Sequence, residues 1–506
     1  MKKQILSNLP SLPKSKRLFA WLLALALLSV PTLLAGCERN TPETETGTAE
    51  PAQTEEAGEA VQTTDGSSAA GAVTVSAGGS RVVVRGSTAE RALTDAEKQK
   101  YPQETNLPAL YITLAGGKSK SDIKHGSFSQ ATYTLVNNGT GIVEQPIEIG
   151  GRGNFSWSFD QKTYNLKLGT AEPLLGMTAG RKWVLITTWS DKTCLRNFIT
   201  LNFASELLGM DYACETRFCD VYINGKYNGL YVLSEKIALS SSRVDADALF
   251  ECEAQYRHGD CSNCIVCPSG CHIIFKEPLD DETLSKTDKE GLYKTYKQLM
   301  MKADVSLTKG IDVYSRYIDV DSFVDWYIVN ELAKNYDSGF TTSCYCYAKD
   351  GKIYMGPCWD YDTCYGNQNV ASCLWPEGYH VAGSPWYGIL MEDEGFRDAL
   401  HKRWTQLVDD GVIQKFLDVI DEMDEMTDAS EQKDHKLFRS ALTYTGLRGN
   451  LSTTNHEDEV AYLKAWVRMR IKWLNSEWYL NGTPKNLDLT IDYSSPYLKD
   501  IKRMWG

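Results

Sequence analysis

The chain has 506 residues, of which 42% are hydrophobic and 24% are charged, a composition typical of globular proteins that bury a sizeable core. This length allows roughly two to four domains of average size, or one large α/β unit. The formal net charge of −13 excludes general binding to nucleic acid, because that function requires a basic surface.

The N-terminus has the order of an export signal, with a basic segment, an apolar segment and a small-residue cleavage site. Residues 18–34 are nearly all apolar, and residues 33–37 read LLAGC. This ending resembles a bacterial lipobox, so we predict a lipoprotein signal peptide at 1–36 and a diacylated Cys37. The lipid would anchor the protein to a membrane, at the cell surface or on the periplasmic face. A plain signal peptide or a signal anchor is the alternative.

Residues 37–88 are rich in Thr, Glu, Ala, Gly and Ser and contain few large apolar side chains. Such a segment cannot bury enough apolar surface to offset the entropy that is lost on ordering. We therefore predict a disordered linker that tethers the folded part to the lipid at Cys37.

The first elements of the folded part are predicted to be strands. Residues 162–168 alternate between apolar and polar in the period-two pattern of a strand. Residues 217–223 and 226–233 are two further strand-like runs, and the Asn224-Gly225 dipeptide between them favours a tight hairpin. The face of the first strand that we expect to point inward consists of Lys162, Tyr164, Leu166 and Leu168.

Helical patterns alternate with these strands and then dominate the C-terminal part. Apolar residues at helical spacing between Leu195 and Leu207 predict a helix that Gly209 ends. A second amphipathic helix is predicted over 320–332, and residues 411–506 read as a helical extension of the same domain. This order of elements predicts an α+β fold with two lobes rather than a regular βαβ repeat.

Three aspartates form the strongest candidate for a catalytic or metal site. Asp337 follows the helix predicted over 320–332, and Asp360 and Asp362 follow a strand-like run and are flanked by aromatic residues. Mg²⁺ prefers one or two carboxylates together with substrate phosphates, and a separate carboxylate can orient or deprotonate an attacking hydroxyl. The alternative is that these aspartates only cap loops, because Asp is common in turns.

Two further segments could contact phosphate. Lys162 stands at the head of an apolar strand face, where a cation is costly unless it meets an anion. A nucleotide phosphate or a structural carboxylate would both serve. The glycine-rich loop 150–154 could present backbone N–H groups to phosphates, although most loops of this kind are only turns.

Four cysteines follow one another closely, with the spacing C-x2-C-x2-C-x3-C from Cys261 to Cys271. This is the spacing of bacterial ferredoxins, and it also fits a zinc site with His272 as an additional ligand. A small loop held by disulfides is the third interpretation, and it suits an exported protein. We favour disulfides over either metal site.

Several short motifs occur in an order that resembles the spore coat protein H (CotH) kinase family. Together they span roughly residues 107–410. The motifs are Gly151-Arg152-Gly153-Asn154 with Trp157, Lys162-Thr163-Tyr164, Lys182-Trp183-Val184-Leu185, Ser190-Asp191-Lys192-Thr193 with Leu195-Arg196-Asn197, Val221-Tyr222-Ile223-Asn224-Gly225 through Glu235-Lys236, Asn330-Glu331-Leu332 with Asp337-Ser338, and Trp359-Asp360-Tyr361-Asp362 with Gly366.

The resemblance implies an atypical protein-kinase-like fold with two lobes, formed by residues 89–410 with a cysteine-rich insertion at 252–272. It also implies ATP and Mg²⁺ as cofactors and Ser or Thr of secreted or surface proteins as acceptors. The implied site residues are Lys162 for the phosphates, Asp337 as the catalytic aspartate, Asp360 and, less strongly, Asp362 for Mg²⁺, Glu235 near adenine, and Arg196 for phosphate or a carboxylate.

One departure from the family pattern concerns a second metal. Many relatives carry an Asn a few residues after the first aspartate, whereas residues 341–344 here read TTSC. Two further functions are therefore kept open: a non-catalytic binding or structural lipoprotein on the same fold, and an electron carrier that uses the cysteines.

The lipobox generates a prediction about anchoring. Cys37→Ser should block lipidation and leave an unprocessed or released protein, because the thiol is the acceptor of the lipid. Detergent-phase partitioning and N-terminal mass spectrometry measure the effect. If the variant partitions like the wild type, and if the wild type lacks a mature N-terminus at Cys37, the prediction is wrong.

Overall fold

The computed structural model of the protein describes residues 74–76, 82–87, 89–258, 261–445 and 447–505. The predicted signal peptide, the lipidation site at Cys37 and most of the predicted linker 37–88 lie outside these residues. Within the described part, no helix combines the length and the hydropathy that are needed to span a membrane.

The C-terminal end of the predicted linker contacts the folded part. Strand β1 (Thr74–Ser76) pairs antiparallel with β2 (Val82–Val84). Arg85 then forms an ion pair of 2.6 Å with Glu215, and it donates a hydrogen bond to the carbonyl of Gly176. The ordered structure therefore includes residues on the N-terminal side of residue 89.

Eight strands of the N-terminal half form one sheet: β3 (Arg91–Ala92), β4 (Ala109–Leu114), β5 (Phe128–Asn137), β6 (Thr140–Arg152), β7 (Thr163–Glu172), β8 (Gly180–Thr187), β9 (Thr216–Ile223) and β10 (Lys226–Glu235). Their order is β3-β6-β5-β4-β9-β10-β8-β7, and β6 also pairs with β7. Seven strands thus close into a barrel, and β3 lies outside it on β6. Neighbouring strands are antiparallel, except that β4 and β9 are parallel.

Every second side chain of β7 points into the interior of the barrel. Tyr164, Leu166 and Leu168 are at most 2% exposed and pack in the core of the barrel, so the predicted inward face is confirmed for these residues. Lys167, on the opposite face, forms an ion pair with Glu148 at 3.1 Å. The predicted hairpin is also confirmed, because Ile223 pairs with Lys226 and both turn residues have positive φ.

A second sheet contains five antiparallel strands in the order β12-β13-β11-β14-β15. The strands are β11 (Ala248–Cys252), β12 (Cys264–Val266), β13 (His272–Glu277), β14 (Cys344–Lys349) and β15 (Lys352–Met355). Together with the helices below, these strands establish a mixed α and β architecture. The kinase-like arrangement of two lobes stays a prediction.

The helices of the described residues are α1 (Asp95–Lys100), α2 (Arg196–Asn202), α3 (Gln255–His258), α4 (Lys286–Ser306), α5 (Ile311–Tyr314), α6 (Val320–Ala333), α7 (Ala371–Leu374), α8 (Pro385–Leu390), α9 (Glu394–Asp409), α10 (Val412–Leu437), α11 (Arg439–Thr443), α12 (His456–Trp478) and α13 (Pro496–Trp505). Helix α2 continues as a π-helical turn over Phe203–Leu207. The helices predicted over 195–207 and 320–332 are confirmed as α2 with its extension and as α6. The region beyond 411 is mainly helical.

The cysteine run divides between two environments. Cys261 and Cys264 form a disulfide, whereas Cys267 and Cys271 are free and buried. Hydrogen bonds with the Cys271 and Cys346 thiols lower the pKa of the buried Cys252 to about 6. Within the run, the predicted disulfide bonding is therefore confirmed only for Cys261 and Cys264. A single metal site formed by all four cysteines of the run does not fit this division.

Helix α10 is fixed to the barrel where β10 leaves its regular register. The pairing of β9 with β10 shifts between Tyr227 and Gly229, and Gly229 has a φ of +124°. There the Asp434 carboxylate accepts hydrogen bonds from the Leu230 N–H at 2.8 Å and from Gln161 Nε2 at 3.1 Å. The barrel and the C-terminal helices thus meet through a buried polar contact.

This contact predicts the effect of Gly229→Ala. The added Cβ would lie 2.4 Å from Gln161 Nε2 and 2.7 Å from Asp434 Oδ1, so we expect the free energy of unfolding to fall by about 2 kcal/mol or more. Gly225→Ala is the matched control, because Gly225 also has positive φ but has open space around the added methyl group. It should lose only about 1 kcal/mol. Equal urea-unfolding midpoints for the two variants would contradict the prediction.

Candidate functional site

A cleft of about 530 Å³ lies where the end of the barrel meets the second sheet. The barrel, the second sheet and the loops that follow α6 and β15 all contribute side chains to it. Its charged and hydroxyl-bearing residues include Arg152 and Thr163 from the barrel, Glu251 and Lys276 from the second sheet, and Ser343, Asp337, Asp360 and Asp362 from the loops. The structure therefore brings the three predicted aspartates together.

Asp337 is held by a short turn that follows α6. Lys334 ends the helix in the left-handed conformation, and residues Tyr336–Gly339 form a 3₁₀ turn. Asn335 caps this turn by accepting a hydrogen bond from the Asp337 N–H, and its Nδ2 donates to the carbonyl of Asp360 at 3.0 Å. Asn335 thus ties the Asp337 turn to the Asp360 loop.

Asp360 lies in a strained part of the backbone. Both Asp360 and Ser343 have positive φ, 69° and 57°, a conformation that costs energy for residues other than glycine. The Ser343 hydroxyl donates to Asp360 Oδ2 at 3.2 Å, and the Ser343 N–H donates to Glu251 Oε1 at 3.1 Å. These hydrogen bonds offset the cost of the strained backbone, and they fix the orientation of the Asp360 carboxylate.

Asp362 is positioned from the loop that precedes α2. The Ser190 hydroxyl donates to Asp362 Oδ2 at 2.6 Å. The Asn367 side chain donates to the Asp362 carbonyl at 2.7 Å and to the Ser190 carbonyl at 3.2 Å. Asn367 therefore joins the two loops, and it orients Asp362 indirectly.

The three carboxylates repel one another. Burial and the charges of Asp360 and Asp362 raise the pKa of Asp337 to about 7. Burial and the charge of Asp360 raise the pKa of Asp362 to about 7. Burial also raises the pKa of Asp360, against the opposing effects of Arg152 and the Ser343 hydroxyl. A cation in the cleft would relieve this repulsion.

These residues fit a divalent cation of the Mg²⁺ type. Such ions take oxygen ligands, commonly one or two carboxylates, and complete their shell with water and substrate phosphates. Among the described residues, the sets of three or more His, Cys, Asp and Glu whose ligand atoms all lie within 4.8 Å of one another are found elsewhere. The three cleft carboxylates therefore do not form a closed cage of ligands, and water and phosphate oxygens would complete the coordination.

Arg152 faces the aspartates from the barrel. Its guanidinium lies 5.3 Å from the ring centroid of Trp359, and burial lowers its pKa although Asp360 and Glu251 are nearby. Within the described ranges, no carboxylate forms an ion pair of 4.0 Å or less with it, whereas Lys276 on the same wall pairs with Glu251 at 3.0 Å. Arg152 is thus a partly desolvated cation that could contact an anion in the cleft.

The other predicted site residues lie outside the cleft lining. The Lys162 ammonium donates to the Trp157 carbonyl at 2.8 Å, and the neighbouring Thr163 enters the cleft instead. Arg196 is buried, forms an ion pair with Asp191 and donates to the Cys364 carbonyl at 3.0 Å. Glu235 is buried and pairs with Arg243 at 2.7 Å. Arg196 thus meets a carboxylate, which was one of its two expected partners.

Sequence reasoning missed Arg152 and Asn335 as site residues. Both stand inside segments that were singled out, the glycine-rich loop and the segment around Asp337. The glycine pattern draws attention to the backbone N–H groups of the loop, but the cleft is also lined by the Arg152 side chain, next to Gly153 and Asn154. An Asn two residues before an Asp is a signal of local capping, but its link to Asp360 depends on the fold.

The repulsion predicts how Asp337→Asn changes stability. Between about pH 4 and 7 the unfolded chain has released the Asp337 proton while the folded protein retains it, so the wild type loses stability as pH rises through this window. The variant lacks that loss. Without divalent cations, it should be more stable than the wild type by on the order of 2 kcal/mol at pH 8.5 and by almost nothing at pH 4.

Urea unfolding in a chelating buffer measures this difference. Arg257, which opposes the shift of Asp337, is unchanged in the variant. Asp398→Asn, at an exposed position of α9, is the control and should leave the pH profile as it is. A pH-independent difference between Asp337→Asn and the wild type would contradict the prediction.

Comparison with known proteins places this cleft in a family. The model of the family described as CotH kinase protein matches residues 149–474, which include Arg152, the three aspartates and the whole second sheet. No curated protein is significantly similar to the chain. Because the family model covers more than half of the chain, the protein belongs to the CotH kinase protein family.

Proposed function

We propose that this protein is an exported, lipid-anchored kinase that transfers the γ-phosphoryl group of ATP to Ser or Thr of secreted or surface proteins, with a kinase-like fold of two lobes. Membership of the CotH kinase protein family supports a kinase-like function. The LLAGC sequence that ends at Cys37 supports export and anchoring.

The observation that carries the proposal is that Asp337, Asp360 and Asp362 line one cleft together with Arg152, where the charge of Asp360 raises the pKa of the other two aspartates. Loop-capping aspartates gain nothing from facing one another. Carboxylates that share a cleft with a free cation are suited to a metal–phosphate group, because the metal offsets the acids and the guanidinium meets the phosphate. The volume of about 530 Å³ lies in the range of small-molecule sites.

Each charged group has a separate role in this proposal. Asp360 and Asp362 would hold Mg²⁺, which would neutralise the charge of the phosphates. Asp337 accepts the proton of the attacking hydroxyl, since a carboxylate positioned in the cleft beside the metal ligands can act as a general base. Arg152 binds phosphate oxygens. The oxygen of the acceptor hydroxyl bonds to the γ-phosphorus, and ADP leaves with the electrons of the broken bond.

The family resemblance assigned the phosphate contact to Lys162, whereas the geometry favours Arg152. Lys162 already donates to the Trp157 carbonyl at 2.8 Å and is not among the residues that line the cleft. Comparing Arg152→Ala with Lys162→Ala decides between the two cations. We expect the arginine variant to bind ATP at least tenfold more weakly and the lysine variant to bind almost like the wild type.

Variants of two aspartates distinguish ATP binding from phosphoryl transfer. Asp360→Asn should weaken both Mg²⁺-dependent ATP binding and activity, because it removes a charge that fixes the metal. Asp337→Asn should still bind ATP, whereas transfer should fall by about a hundredfold or more, the usual loss for a positioned base. Calorimetric ATP/Mg²⁺ titration and a radiolabelled transfer assay measure the two effects. If the wild type shows no Mg²⁺-dependent binding at millimolar ATP, the protein is a non-catalytic binding or structural lipoprotein.

A further inference from the structure

A cluster of buried ligand-type side chains lies away from the cleft, where the loop before α2 meets the last turn of α10. The ligand atoms of Cys194, Asp434 and His435 all lie within 4.8 Å of one another. Cys194 Sγ lies 3.9 Å from His435 Nε2. The three residues are 2%, 1% and 8% exposed, so bulk water is almost excluded from the cluster.

The Asp434 carboxyl is buried and has no protein counter-ion in the described part of the chain. Within the described residues it forms no ion pair with Lys, Arg or His, and its hydrogen bonds, from the Leu230 N–H and Gln161 Nε2, both end on Oδ1. One of its carboxylate oxygens lies within 4.8 Å of the ligand atoms of Cys194 and His435. A buried carboxylate without a cation is costly, and a bound cation would remove that cost.

A neighbouring cluster shows the contrasting case. The ligand atoms of Asp424, Glu431 and His456 are also close together. There, however, His456 pairs with Glu431 at 2.5 Å, and Lys464 pairs with Asp424 at 2.7 Å. Protein cations already compensate both carboxylates, so this cluster does not call for a metal.

We propose that Cys194, Asp434 and His435 bind a zinc ion. Thiolate, imidazole and carboxylate are the ligands that zinc takes in proteins. A tetrahedral zinc would place its sulfur and nitrogen ligands about 3.6 Å apart, close to the 3.9 Å between Cys194 and His435. With a thiolate, a carboxylate and a neutral imidazole the site is electrically neutral, and water completes the coordination.

The backbone at Cys194 is consistent with this role. Cys194 has a φ of 60°, an unfavourable conformation for a residue with a side chain, and it directs the thiol toward α10. Cys194 and His435 are 241 residues apart in sequence. A metal held by both would close a long loop, and it would tie the segment before α2 to the C-terminal helices.

The test is the zinc content of the purified full chain by elemental analysis. We expect about one zinc per chain in the wild type and a drop of at least fivefold in Cys194→Ser and in His435→Gln. Cys219→Ser, a free and fully buried thiol in the barrel, and His401→Gln are matched controls that should retain the ion. Asp360→Asn should also retain it, because this site does not depend on the proposed kinase activity.

Cys267→Ser distinguishes the second possible location. If zinc is lost from Cys267→Ser but retained by Cys194→Ser, the ion belongs to the thiols around Cys252, and the proposal is wrong. Should the ligand variants fail to fold, cobalt substitution of the wild type and of Cys267→Ser provides the readout. Both should show thiolate-to-cobalt absorption. A wild type with neither zinc nor a cobalt–thiolate band would overturn the proposal.

Discussion

Mutual repulsion among Asp337, Asp360 and Asp362 is the constraint on which the rest of the site depends. Three carboxylates in a partly buried cleft raise one another's pKa, and an unliganded protein gains no stability from that arrangement. The repulsion therefore destabilises the folded protein at this site, and interactions in the surrounding structure offset the cost. This is common where a site is organised for a ligand rather than for stability.

Hydrogen bonds made by the loops that hold the aspartates offset the repulsion among the three carboxylates. Asn335 connects the Asp337 turn to the Asp360 loop, and Ser343 connects Asp360 to Glu251 of the second sheet. Each link satisfies a backbone or carboxylate group that would otherwise be buried without a partner. The carboxylates thus cannot relax away from one another without breaking hydrogen bonds in elements that belong to the folded core.

Local signals in the sequence were sufficient for local structure. The Asn224-Gly225 hairpin and helix α6 follow from turn chemistry and apolar spacing. The positions of Asp337 after α6 and of Asp360 and Asp362 after β15 could also be predicted, but the cleft that they share depends on the fold. Closure of the barrel through β6 and β7, and the parallel pairing of β4 with β9, depend on contacts distant in sequence. Lys162 was placed from its strand alternation, but the strand begins one residue later, so that its side chain turns to Trp157.

The segment from Ser190 to Arg196 connects the cleft with the C-terminal helices. At its start, the Ser190 hydroxyl donates to Asp362. At its end, Asp191 pairs with Arg196, and Arg196 donates to the carbonyl of Cys364. Between them, Cys194 lies beside His435 of α10. One short loop therefore carries a ligand of the proposed zinc site and a hydrogen-bond donor to a proposed magnesium ligand. Because the loop is buried and hydrogen-bonded at both ends, an ion that fixes Cys194 would also limit the movement of Ser190. The position of Asp362 would then depend on α10, the helix that is also hydrogen-bonded to the barrel through Asp434.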